Sequence, residues 1–187
     1  MANRSTLQLV LLLFFAYVSS ESYESLRFYQ RRTNKSSIYL LKKMIGELHP
    51  ECQKDRMDFQ IPKEILQPKQ YQKENATMVI HEMLQQIFLL FSSKNASLGV
   101  NNTIIETFLN IIFQQMEHLE MALKEEMNQV NSTRLNEESI QHLNNYYQRI
   151  MNYLENKKYS SCSWKIVQVE TRLNFIFLYK LTERLKN

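Results

Sequence analysis

The stretch "GELHPECQKDRMDFQIPKEILQP", residues 46–68, holds one of the two glycines and all three prolines of a 187-residue chain. Average usage of these residues is about 7% and 5%. Sandwiches and barrels need turn residues throughout, so a chain with all but one of its breakers gathered here is helical elsewhere. Residues 46 to about 70 read as one long connection. Such a connection is too long for a tight helix–helix turn. The helices on either side of it therefore run the same way, and the chain crosses the bundle between them.

Apolar spacing outward from this stretch supports five helices, each with one face at steps of three and four. Before it come Ile38, Leu41, Ile45 and Leu48, and after it Ile80, Leu84, Ile87 and Phe91. Ile105, Phe108, Ile112, Met116 and Leu119 mark a third helix, and Ile140, Leu143, Tyr147, Ile150 and Leu154 a fourth. The last, with Ile166, Val169, Leu173, Phe177 and Leu181, is apolar on more than one face and so central. Thr103 to Glu106, "TIIE", has the pattern of a capping box, with Gly99 in the break before it, and Asn136 ahead of Glu137 and Glu138 offers a second cap. The expected fold is all-α: a five-helix up-up-down-down bundle of the cytokine type, with a long first crossover loop.

Residues 1–20 carry Arg4, an apolar run from Leu7 to Val18 and small residues at Val18 and Ser20. This is the pattern of a secretory signal peptide cut after Ser20, and the run is shorter than the roughly 20 residues of a membrane span. The expected mature domain is 21–187, secreted and extracellular, without membrane insertion. The net charge of +4 is mild and lacks the dense basic run of a nucleic-acid binder. Cys52 and Cys162 are the two cysteines. In an oxidising compartment the simplest reading is one disulfide, the alternative being two buried thiols. A bridge over about 110 residues contributes roughly 4–5 kcal/mol in the chain-entropy account.

Catalytic and cofactor chemistry finds no constellation. None of His49, His81, His118 and His142 follows a Glu by three positions, and His81-Glu82 does not continue into a zinc-protease motif. Two glycines cannot build a phosphate-cradling loop. No enzyme activity, metal or cofactor is expected. Five sequons offer N-glycosylation at Asn34, Asn75, Asn95, Asn101 and Asn131. Those at Asn95, Asn101 and Asn131 fall in or beside expected breaks.

Five segments together carry a resemblance: "CQKDRMDFQIP" at 52, "YQKENATMVIHEMLQQIFLLF" at 71, "NNTIIETFL" at 101, "YYQRIMNYLENKKYSSCSWKIVQVE" at 146 and "LNFIFLYKLTERLKN" at 173. In this order they resemble the type I interferon family, its beta members most of all. The resemblance covers essentially all of residues 21–187. It implies a cytokine, active as a monomer, that brings together both chains of the interferon alpha/beta receptor and so switches on antiviral genes. It places the high-affinity chain on the first helix, first loop and last helix, at Lys54, Asp55, Arg56, Val169 and Arg172. Arg56 matches the family's arginine hot spot. The low-affinity chain falls on the opposite face, at Phe88, Leu109, Phe113, Asn144 and Asn145. Arg172 and Leu173 stand interchanged relative to the usual beta order, which turns each by about 100° around the helix. Other readings of the same fold are a non-signalling decoy and a secreted helical lipid carrier.

Overall fold

The structure is a computed structural model that describes residues 4–67, 71, 73–93, 100–127 and 134–186. Among them there are helices and no strand. The long helices are α1 (Arg4–Ile45), α4 (Lys73–Phe91), α5 (Asn102–Met127), α6 (Arg134–Asn156) and α7 (Ser161–Thr182). Two single turns, α2 (Pro50–Gln53) and α3 (Lys63–Leu66), sit inside the long connection, and a 3₁₀ turn (Glu183–Leu185) follows α7.

Side-chain contacts give the direction of each helix. Asn34 of α1 meets Thr182 at the end of α7, while Lys165 at the start of α7 reaches the Glu47 carbonyl just past α1. The two are antiparallel. Arg184 beyond α7 bonds the Tyr71 carbonyl ahead of α4, and Trp164 stacks edge-on against Phe91 at the end of α4. Thus α4 also opposes α7, and α1 and α4 run the same way, as the long connection required. Pairs Phe91–Phe108 and His81–Glu120 set α5 antiparallel to α4. The four helices α1, α4, α5 and α7 form the up-up-down-down bundle, and α6 packs on α4 and α7 as a fifth.

Helix ends follow local chemistry. Gly46 adopts φ 55°, and its N–H bonds the Lys42 carbonyl, the one-bond left-handed stop that glycine permits. Leu48, read above as part of the first helix face, therefore lies past its end and packs on the core from the connection. Pro50 supplies the preset φ of the first turn of α2. The cap of α5 is Asn101, whose Oδ1 accepts from the Thr103 N–H at 2.9 Å. The expected capping box at Thr103 is thus two residues too far in: Thr103 lies inside the first turn. Helix α6 likewise begins at Arg134, two residues before the expected cap Asn136. Ser160 caps α7 through the Ser163 N–H. The turn into it places Lys158 and Tyr159 at φ 50° and 52° without a glycine.

The core is apolar and aromatic. Phe91, Phe108, Trp164 and Phe175 form one edge-to-face chain across α4, α5 and α7, with centroids 5.1–5.8 Å apart. Such pairs contribute about 0.5–1.5 kcal/mol beyond area burial. One polar seam interrupts the core. Gln115 of α5 donates to Gln30 and Asn34 of α1, and Asn34 donates on to Thr182 of α7. All four are fully buried. Bonded to one another, they fix the register of three helices, because a slipped helix leaves them unpaired at a cost of about 1–3 kcal/mol each. This seam removes Asn34 as a glycan acceptor in the folded chain: its amide is at 0% exposure and already committed.

No helix among the described residues is long and apolar enough to cross a membrane.

Candidate interaction surface

The long connection is tied down at several points. Cys52 and Cys162 form a disulfide with Cα atoms 4.9 Å apart, joining α2 to the first turn of α7. Downstream of it, α6 holds the strand of loop from Asp55 to Gln60. Arg149 donates to the carbonyls of Phe59 and Gln60, both at 2.9 Å. One turn on, the Tyr153 hydroxyl donates to the Asp55 carbonyl at 3.1 Å, and its ring meets the buried Phe59 edge-on. Another turn on, Lys157 pairs with the Asp55 carboxylate at 2.6 Å. Three side chains spaced by four residues make one ladder up the helix. Burial, with Asp55 adding to it, pushes the Tyr153 phenol up to about 12, so it stays a donor. Gln60 sits at φ 55°, its N–H held by Asp58 at 2.8 Å.

Within this frame Arg56 is exposed, and among the described residues its guanidinium makes no hydrogen bond or ion pair. The internal clamp is Arg149, which leaves Arg56 presented outward. Asp55 is engaged by Lys157, so it belongs to the frame. Lys54 makes only a 3.5 Å pair with Glu51 in full solvent, which contributes little.

The α7 side of the surface rests on a second polar group. Glu170, beside Val169, accepts from the Tyr146 hydroxyl at 2.6 Å; Asn174 bonds Tyr146 and Tyr147 at 2.7 Å each. Burial raises the Glu170 carboxyl above the ordinary glutamate value, the Tyr146 bond and the Arg56 charge pull it back, and Asp58 adds to the rise. Burial also pushes the Tyr146 and Tyr147 phenols well above the usual tyrosine range. The Arg56 charge thus reaches Glu170, and the loop lies over this part of α7. Val169 is half-buried, and Arg172 and Leu173 are both exposed on either side of the outward line through it. The interchange leaves both side chains on one surface.

A separate surface lies across α5, α4 and α6. Phe88 and Phe113 are 6.4 Å apart, Leu109 lies one turn before Phe113, and Phe113 is 49% exposed. Leu89, which the spacing analysis did not single out, is 56% exposed beside them. Asn144 accepts from Gln86 of α4 at 3.0 Å, and Asn145 next to it is exposed. Of the sequons, Asn101 is exposed; its Oδ1 caps α5 and its Nδ2 is left for a glycan. Asn75 is partly exposed on the first turn of α4, and Asn95 and Asn131 lie outside the described residues.

The interferon alpha/beta domain model matches residues 26–185. The chain belongs to the interferon alpha/beta family. This interferon is beta-like: it is 44% identical to interferon beta of Macaca fascicularis and of Homo sapiens, and 40% identical to that of Tachyglossus aculeatus aculeatus, covering all of both chains in each case. Zebrafish interferon 2 superposes with a TM-score of 0.69 at 20% identity, over 80% of this chain and 97% of that one, which shows the shared fold. As a member of this family the protein is a cytokine, not an enzyme.

Proposed function

We propose that this interferon is a secreted ligand that bridges the two chains of the interferon alpha/beta receptor and thereby activates antiviral, antiproliferative and immunomodulatory signalling. The leader 1–20 is removed: core residues of α1 such as Leu26, Leu41 and Met44 all lie beyond Ser20, so the cut leaves them in place. The high-affinity chain docks on Lys54, Arg56, Val169 and Arg172, with Asp55 holding the loop. The low-affinity chain docks on Phe88, Leu109 and Phe113, with Asn144 and Asn145 at the α6 edge.

The observation that carries this reading is the free Arg56 guanidinium on a loop anchored at Cys52, Asp55, Phe59 and Gln60. An arginine that makes no hydrogen bond or ion pair among the described residues, on a preorganised frame, suits a hot spot, because little ordering remains to oppose binding. Arg56→Ala is expected to cost at least about 2 kcal/mol against the high-affinity chain with circular dichroism unchanged. A loss below about 0.5 kcal/mol removes Arg56 from the site. A reporter assay in cells with and without the low-affinity chain separates an agonist from a decoy. The lipid-carrier reading requires the bundle to open, which the Cys52–Cys162 bridge and the aromatic chain oppose.

A further inference from the structure

Charge is unevenly distributed around the bundle. Between residues 26 and 45, α1 carries Arg27, Arg31, Arg32, Lys35, Lys42 and Lys43 and no acid. Over Asn102–Met127, α5 carries five glutamates against Lys124. Two of the α1 cations turn toward α7 and are neutralised there: Arg31 pairs with Glu183 at 2.8 Å and Arg27 with the same carboxylate at 3.8 Å. The other four are not neutralised, although Lys35 leans toward the Tyr179 ring of α7. Arg32, Lys35, Lys42 and Lys43 are exposed, and none has an acidic partner among the described residues.

Helical geometry puts these four on one line. At 100° per residue, Phe28, Arg32, Lys35, Tyr39, Lys42 and Lys43 fall within a stripe of roughly 100°, centred opposite the buried Gln30, Asn34 and Leu41, and about 22 Å long. Phe28 is 70% and Tyr39 57% exposed, so one ring stands at the start of the row and one between Lys35 and Lys42. Lys43 sits over the Tyr39 ring at 4.7 Å, and Lys35 lies 5.9 Å from the Tyr179 ring of α7. A row of unneutralised cations, each within about a Debye length of the next, attracts an extended polyanion far more strongly than it attracts a single anion.

We propose that the outer stripe of α1 binds a sulfated glycosaminoglycan chain. Both the linear spacing and the unpaired charge fit a flexible string of sulfates, and the exposed rings fit the apolar faces of its sugars. Nucleic acid fits less well, because with Lys43 over the Tyr39 ring the stripe keeps only the Phe28 ring open, too few faces for successive bases to stack along it. A membrane surface needs a broad apolar face, and Phe28 alone does not supply one. The proposal rests on the extracellular placement above and uses none of the residues assigned to the high-affinity chain, Lys54, Arg56, Val169 and Arg172, although α1 borders that site.

The test is heparin chromatography of the full secreted protein beside an Arg32→Gln, Lys35→Gln, Lys42→Gln variant and a control variant with Lys63, Lys124 and Lys158 each changed to Gln. The stripe variant is expected to elute at clearly lower salt than the control, with the slope of log K against log salt reduced by about 2, the value for three counterion-releasing contacts on a single-stranded polyanion. In the unmutated protein, bound heparin should protect Lys35, Lys42 and Lys43 from acetylation and leave Lys63, Lys124 and Lys158 reactive, a readout that needs no variant to fold. Equal losses in both variants, or protection spread over all six lysines, overturn the proposal in favour of net charge. Tighter retention on a DNA column overturns it in favour of nucleic acid. A salt-sensitive dimer that the stripe variant abolishes, with no heparin retention, overturns it in favour of self-association through α5. Affinity for the high-affinity receptor chain, measured without heparin, reports separately on the receptor reading.

Discussion

Replacing Arg149 with alanine tests whether the order of the first loop matters for binding. The guanidinium makes two bonds, one to the part-buried carbonyl of Phe59 and one to the exposed carbonyl of Gln60. A hydrogen bond from a charged donor contributes about 1.5–3 kcal/mol. Water replaces the Gln60 bond at little cost, so the net loss is set by Phe59 and is about 1.5–2 kcal/mol. Because every 1.4 kcal/mol is a factor of ten, local opening of residues 55–60 becomes about ten to thirty times more frequent. Tyr153, Lys157 and the disulfide still hold the rest of the loop. The competent fraction then falls only in part, and apparent affinity scales with that fraction. The expected outcome is a threefold to tenfold weaker dissociation constant for the high-affinity chain, carried by a slower on-rate. Affinity for the low-affinity chain should be unchanged. Surface plasmon resonance measures the rates, and hydrogen exchange over 55–60 measures the opening. If exchange there rises tenfold while the on-rate stays within twofold of the parent, loop order is irrelevant to docking and the reasoning fails.

Three other outcomes are expected. Cys52→Ser with Cys162→Ser should cost about 2–5 kcal/mol in urea unfolding and lower receptor affinity; loss of stability with full affinity would confine the bridge to a structural role. Glu170 has a raised folded-state pKa, so the native state binds more protons than the unfolded one, and its contribution to stability falls as pH rises from the ordinary glutamate value of 4.5 through the folded value. Glu170→Gln, which keeps an acceptor for Tyr146, should therefore gain on the parent as pH climbs through that window and run parallel to it above; a constant difference at all pH values would exclude the effect. Asn101→Gln should remove one glycan by mass spectrometry and about 1 kcal/mol of stability through its lost cap, whereas Asn34→Gln should destabilise with no change in glycan mass.

Much of the bundle was legible because its signals are local. The glycine and prolines of 46–68 marked the crossover, and apolar spacing located all five long helices. Helix starts were missed by two residues at α5 and three at α6; near 101 several Asn and Thr stand together, and the deciding hydrogen bond is seen only in the structure. Residues 158 and 159 turn through positive φ without glycine, a conformation no composition rule flags. Asn34 already stood apart from the sequons at the breaks, on an expected helix, but that its amide faces Gln115 and Thr182 is seen only in the structure. The ladder of Arg149, Tyr153 and Lys157 repeats every four residues, but the apolar spacing that located α6 did not single it out. Its target, a loop about 90 residues earlier in the chain, was not, because sequence spacing says nothing about which distant backbone a helix face meets.

Helix α6 leans on both candidate surfaces, gripping the loop through Arg149 and touching α4 through Asn144 just over one turn earlier. Anyone redesigning this protein to favour one partner will find that helix a poor place to begin, since a tilt introduced for the sake of one neighbour is felt by the other. Independent adjustment has to start from positions that α6 does not brace, such as the outward side of α7.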